Sequence, residues 1–155
     1  MCGPETPSTT PRVGARVDFF PAPGLTRTGL PLSNLLFLNP SSPSSRNATH
    51  VRFHHSSPVS SSDPSCSANN KNDESVLVSI HETGDLTKPL SSCGLLQQFT
   101  LHSRHSHSHG HEGVEMPLGA AVALDVGQGG IIGRRVSMRR GDELLGDGIV
   151  GFNFN

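Results

Sequence analysis

GAAVALDVGQGGIIG, residues 119–133, sets a short apolar run against a glycine-rich break and then repeats the pattern in miniature with Ile131, Ile132 and Gly133. Glycine weakens a helix interior and supplies the positive φ that tight turns need, so the pattern predicts short strands joined by Gly turns. The same grammar continues through ELLG (143–146) and GIVGFNF (148–154), and from Gly110 to Asn155 there are eleven Gly and one Pro. Residues 113–155 therefore read as a Gly-rich region of short strands. So small a unit, without disulfides or metal, lies at the edge of stability.

Outward from this region the composition argues against a packed fold. Ser (21), Gly (17) and Pro (12) make up about a third of the 155 residues with no fixed period, a low-complexity signature. Trp and Tyr are absent, so a core would rest on seven Phe and scattered aliphatics. Residues 1–62 hold nine Pro, seventeen Ser or Thr, five Arg and only two acids, Glu5 and Asp18. They read as a disordered Ser/Pro-rich arm. Its densest apolar run, LPLSNLLFLNP (30–40), is too short and too interrupted to span a bilayer, which needs about 20 residues. It reads as an unattached hydrophobic patch, with a short partner-docking helix from Ser33 as the alternative. No transmembrane segment is expected.

Linker composition begins at Ser56, so the arm gives way through a linker at 63–73 to an ordered piece at 74–101. There, β-branched alternation at Val76, Val78 and Ile80 predicts a short strand, with Ser75, Leu77 and Ser79 on its other face. SSCGLLQQFTLH (91–102) predicts a helix of two turns, capped by Ser91 or Ser92, with Leu95, Leu96 and Phe99 on one side. The expected fold class is thus a mostly disordered, low-complexity chain with at most a small, weakly ordered β-rich C-terminal region and one short helix.

The most distinctive chemistry lies in HSRHSHSHGHE, a tract at 102–112 holding five of the nine histidines. His105, His107, His109 and His111 alternate with Ser or Gly, so an extended chain would present four rings on one side. With His102 they are candidate ligands for zinc, nickel or copper, and Glu112 and Glu115 could complete a shell. Ser and Gly give the rings no rigid support, which predicts weak and poorly selective binding that fades as pH falls through about 6.5. The tract resembles the cytosolic loops of zinc-transporting membrane proteins and the tails of nickel chaperones. That resemblance covers ten residues.

Two further motifs stand out. VALDVGQGG (122–130) resembles the first motif of S-adenosylmethionine-dependent methyltransferases at Asp125, Gly127 and Gly129, but Ile131 occupies the place of its last Gly. As a dinucleotide fingerprint it fails at Ile132, and only 25 residues follow Gly130, too few for the βαβ units either fold requires. It reads as a Gly-rich turn after a strand. In GRRVSMRRGDE (133–143), Arg134 and Arg135 precede Ser137 at the spacing basophilic kinases prefer, so Ser137 is a candidate phosphorylation site. The four Arg otherwise read as an exposed basic turn balanced by Asp142 and Glu143.

A net charge of −1 supplies no field for nucleic acid or anionic membrane, and no specific nucleic-acid binding is expected. Cys2, Cys66 and Cys93 fit neither a disulfide framework nor a CxxC knuckle, which favours an intracellular location. The expected function is non-enzymatic, either low-affinity transition-metal chelation or binding of a protein partner through the His-rich tract. The alternatives are an organelle-targeted precursor with a cleavable Ser-rich arm, or the product of a short open reading frame without a dedicated function.

Overall fold

The computed structural model describes residues 12–22, 33–55, 75–102 and 113–154. Strands take up 68% of these residues, which overturns the expectation of a mostly disordered, low-complexity chain. In chain order they are β1 (Arg12–Asp18), β2 (Phe20–Pro21), β3 (Ser33–Leu38), β4 (Asn47–His55), β5 (Ser75–Ile80), β6 (Gln97–His102), β7 (Gly113–Val126), β8 (Gly130–Ile132), β9 (Arg135–Arg140) and β10 (Glu143–Phe154). They form one curled sheet in the order β6-β5-β9-β10-β1-β3-β4-β7-β8, with β2 added to β10. Neighbours run antiparallel except β7 and β8.

The first and last strands lie side by side, Arg16 opposite Gly151 and Val17 opposite Val150. The Ser/Pro-rich arm and the Gly-rich region are thus parts of one sheet. The arm can supply ladders because its described prolines stand where no ladder donor is needed. Pro21 belongs to the two-residue β2, and Pro40 and Pro43 lie in the β3–β4 connection. The run at 30–40 is neither a free patch nor a helix but contains β3, which buries Ser33, Leu35 and Phe37 on one face.

Those side chains start the core. Ala15 and Val17 lie opposite Phe37 and Leu35 on one side, and Val51 and Phe53 oppose the same two residues on the other. Ala15, Val17, Leu35, Phe37 and Val51 have no solvent exposure. Full burial of each large aliphatic or aromatic side chain contributes about 1.5–3 kcal/mol against the entropy of ordering the chain. Phe37 meets Phe99 edge-on at 6.4 Å. These rings sit on β3 and β6, with four strands between them in the sheet order, and touch because the sheet curls over its own core. At the opposite rim, Gly133 N–H donates to Val150 and Val150 N–H to Arg134, tying the segment after β8 to β10.

Gly14 permits the close approach of β1 and β3. Its φ is +86°, at an irregularity in the β1–β10 register, and a Cβ there would stand 2.1 Å from the Phe37 carbonyl oxygen. In β5, Val78 and Ile80 enter the core and Val76 packs against it. The helix expected over 91–102 is absent. A single 3-10 turn at Leu90–Ser92 is followed by β6, which pairs residue for residue with β5 from Gln97–Ile80 to His102–Ser75. Two isolated helical turns cannot match six residues of ladder. Among the described residues no helix is long and apolar enough to cross a membrane.

Candidate functional site

Strand alternation gives β5 and β9 a second, outward face. Because Val78, Ile80, Val136 and Met138 point into the core, Leu77, Ser79, Arg135, Ser137 and Arg139 point away from it. Ser79 lies opposite Ser137, and Leu77 opposite Arg139. The segment from His81 to Leu96 folds back over this face as a roof. Its ends are held by main-chain bonds: His81 N–H to Arg135, Arg135 N–H to Thr83, and Leu96 N–H to Ile80.

Two buried side chains pin the roof to the sheet. The Arg135 side chain is 7% exposed and grips the Asp147 carboxylate through Nε and Nη2. Its Nη1 donates to the carbonyls of Lys88 (2.7 Å) and Asp85 (3.2 Å) and reaches the buried Cys93 Sγ at 3.6 Å. Burial works against the guanidinium charge, but the bonds to Asp147 and Cys93 and the attraction of Asp147 outweigh it and hold its pKa above the ordinary value. His81, also buried, sits 2.8 Å from the Gly94 carbonyl through Nδ1 and 2.8 Å from Ser137 Oγ through Nε2. A carbonyl only accepts, so Nδ1 carries the proton; in the neutral ring Nε2 then accepts from the Ser137 hydroxyl. At the roof's crest, Asp85 accepts from the backbone and hydroxyl of Thr87, which with nearby Lys88 hold its carboxyl below the usual carboxylate range.

Between roof and sheet runs an open groove of about 430 Å³. Leu77, Leu90 and Leu95 supply apolar surface, while Ser79, His81, Gln98, Ser137 and Arg139 supply polar groups. Gln98 Nε2 donates to Ser79 Oγ at 2.8 Å, linking β6 to the groove floor. Arg139 is exposed, and among the described residues no carboxylate pairs with it.

Of the candidate site residues singled out from sequence, Ser137 is the one the described structure places in the groove. His102 is exposed at the end of β6, opposite Ser75. His105, His107, His109 and His111 lie outside the described residues, as do Glu112, Cys2 and Cys66. Glu115, on β7, is engaged by Arg52 at 2.8 and 2.6 Å. Among the described residues no group of three or more His, Cys, Asp or Glu could hold a metal ion. Ser137 is 1% exposed on the groove floor, so a kinase would have to part β9 from the roof to reach it.

The four Arg of 134–140 do not form one exposed basic turn. Arg135 is buried beneath the roof, and Arg134 donates to the carbonyls of Gly127, Gly130 and Glu82. The glycines of VALDVGQGG serve that tight turn, Gly127 and Gly129 at φ of +101° and +81°. A Cβ on Gly130 would meet the Asp125 carbonyl oxygen at 1.9 Å, so this turn packs on itself and offers no phosphate cradle. Sequence reasoning passed over His81 and Gln98 and read Arg139 only as one arginine of a basic turn. The only trace of their role is that Ser79, Ser137 and Arg139 fall on the outward positions of strands whose alternate positions are apolar. No protein family, no curated protein and no solved structure matches this chain.

Proposed function

We propose that the chain is a non-enzymatic binding module whose outer groove receives a small organic molecule. The observation that carries this reading is a groove of about 430 Å³ with apolar walls and a few convergent polar groups, within the roughly 300–1,000 Å³ typical of small-molecule sites. Its roof is pinned by a buried arginine and a buried histidine, so the shape exists before a ligand arrives and little ordering entropy is lost on binding. The His81–Ser137 bond brings together residue types used for nucleophilic catalysis. With Ser137 1% exposed and its hydroxyl engaged by His81, the pair serves as an anchor. Backbone amide NMR of the full chain, titrated with small apolar and amphiphilic compounds to millimolar concentration, tests the proposal. Shift changes should concentrate at Leu77, Ser79, Leu95 and Gln98; their absence for every compound refutes it.

A second reading, chelation of zinc, nickel or copper by His102, His105, His107, His109 and His111, draws support from His102, which is exposed at the end of β6, where the tract begins. Isothermal titration with zinc should give binding heat at neutral pH that largely disappears near pH 5. Equal heats at both, or none at either, removes this reading.

A further inference from the structure

We infer that the groove is selective for a monocarboxylate carried on an apolar body, its carboxylate held at Arg139. This rests on the groove reading above and adds a ligand class to it. Asp147 is consumed by Arg135, and Asp85 by Thr87 and Lys88. Glu143 lies opposite Arg140, not Arg139, in the β9–β10 register. Arg139 therefore leaves the groove mouth with a positive charge that no described carboxylate neutralises.

The remaining polar groups point the same way. His81 and Ser137 satisfy one another on the floor, whereas Ser79 receives the Gln98 amide and keeps its own hydroxyl hydrogen to donate. Arg139 adds up to five N–H donors suited to an oxyanion, while the Glu82 carboxylate lies beside Gly94 of the roof and disfavours an anion anywhere but at Arg139. Leu77 stands directly across from Arg139 and, with Leu90 and Leu95, continues the groove as apolar surface. A cationic head group would meet Arg139 unfavourably. A neutral one would forgo the charge-assisted bond.

The test compares three probes with the same eight-carbon body, namely octanoate, 1-octanol and octylammonium, titrated into the full chain and followed by amide NMR. A bond between charged partners at an accessible site predicts octanoate binding about tenfold tighter than octanol, with octylammonium weakest. Arg139→Met should bring octanoate to within about twofold of octanol, while Arg139→Lys should retain most of the preference; the melting transition of each variant shows that the fold is intact. Equal affinity of the wild type for octanoate and octanol, or a preference that survives Arg139→Met, overturns the carboxylate inference and leaves the groove standing. No response to any of the three probes removes the groove reading itself.

Discussion

Arg135→Met is the substitution that most directly tests how the site is built. The variant keeps a side chain of similar length and apolar stem but deletes every donor, leaving the Asp147 carboxylate and the carbonyls of Asp85 and Lys88 without their partner. Removing one member of a buried ion pair costs about 3–5 kcal/mol. Asp147 keeps 21% of its side-chain surface in water, which lowers that figure, while two orphaned carbonyls add about 1 kcal/mol each if the roof stays in place. The roof need not stay: once released, it can swing out and hydrate, so the total is capped by the free energy of local opening. A net loss of about 2–4 kcal/mol follows, a large fraction of a typical domain stability of about 5–15 kcal/mol. Urea denaturation measures it, and amide exchange at Glu82, Thr83 and Leu96, whose N–H groups bond within the roof and to Ile80, shows whether opening is local. A double-mutant cycle with Asp147→Asn isolates the pair. A loss below about 1 kcal/mol, or a coupling energy indistinguishable from zero, would refute the claim that this arginine pins the roof.

Other parts of the structure make equally definite predictions. Without added ions the full chain should melt in one cooperative transition, and Phe37→Ala should lower its stability by about 3–5 kcal/mol; a broad, non-cooperative melt would contradict the core described here. Gly127→Ala, at positive φ in open space, should cost about 1 kcal/mol, whereas Gly14→Ala should cost at least about twice that because its Cβ would strike the Phe37 carbonyl; equal effects in urea melts would show that the β1–β3 contact is looser than drawn. Asp85 is depressed by its bonds to Thr87, so its contribution is complete above the ordinary carboxylate pKa and is lost as pH falls through the lower folded value. Roof opening measured by amide exchange should accordingly rise below about pH 4, and Asp85→Asn should diminish that rise.

How much of this could be read from the chain depends on how local each cause is. β5 was legible because Val76, Val78 and Ile80 alternate with smaller or polar neighbours, and period two is a signal any short window contains. β3 was not, because SNLLFL is apolar at Leu35, Leu36, Phe37 and Leu38 alike and carries no period to decide between strand, helix and loose patch. β6 was misassigned because Leu95, Leu96 and Phe99 have helical spacing. What overrules that spacing is β5, a partner ending 17 residues before Gln97, whose ladder forms only once the sheet is assembled. Proline counts misled for a similar reason: their number opposes order, yet Pro40 and Pro43 sit in a connection and cost the ladders nothing.

The site was harder to read than the fold because it depends on which face of β9 the roof covers. Arg135, Ser137 and Arg139 share one face by simple alternation, so the sequence contains their grouping. It does not contain their division of labour. Four residues along a strand separate Arg135 from Arg139 by about 13 Å, more than either side chain can bridge while also holding a carboxylate on its own side. The roof covers the Arg135 end of that stretch, and its Leu90 and Leu95 line the groove together with Arg139. Arg135 falls beneath it, meets Asp147 and becomes structural; Arg139 falls at its edge, keeps its charge in water and remains available to a ligand. The chemistry of this face is therefore set less by the identity of its arginines than by which of them is covered by a loop that begins 58 residues before Arg139.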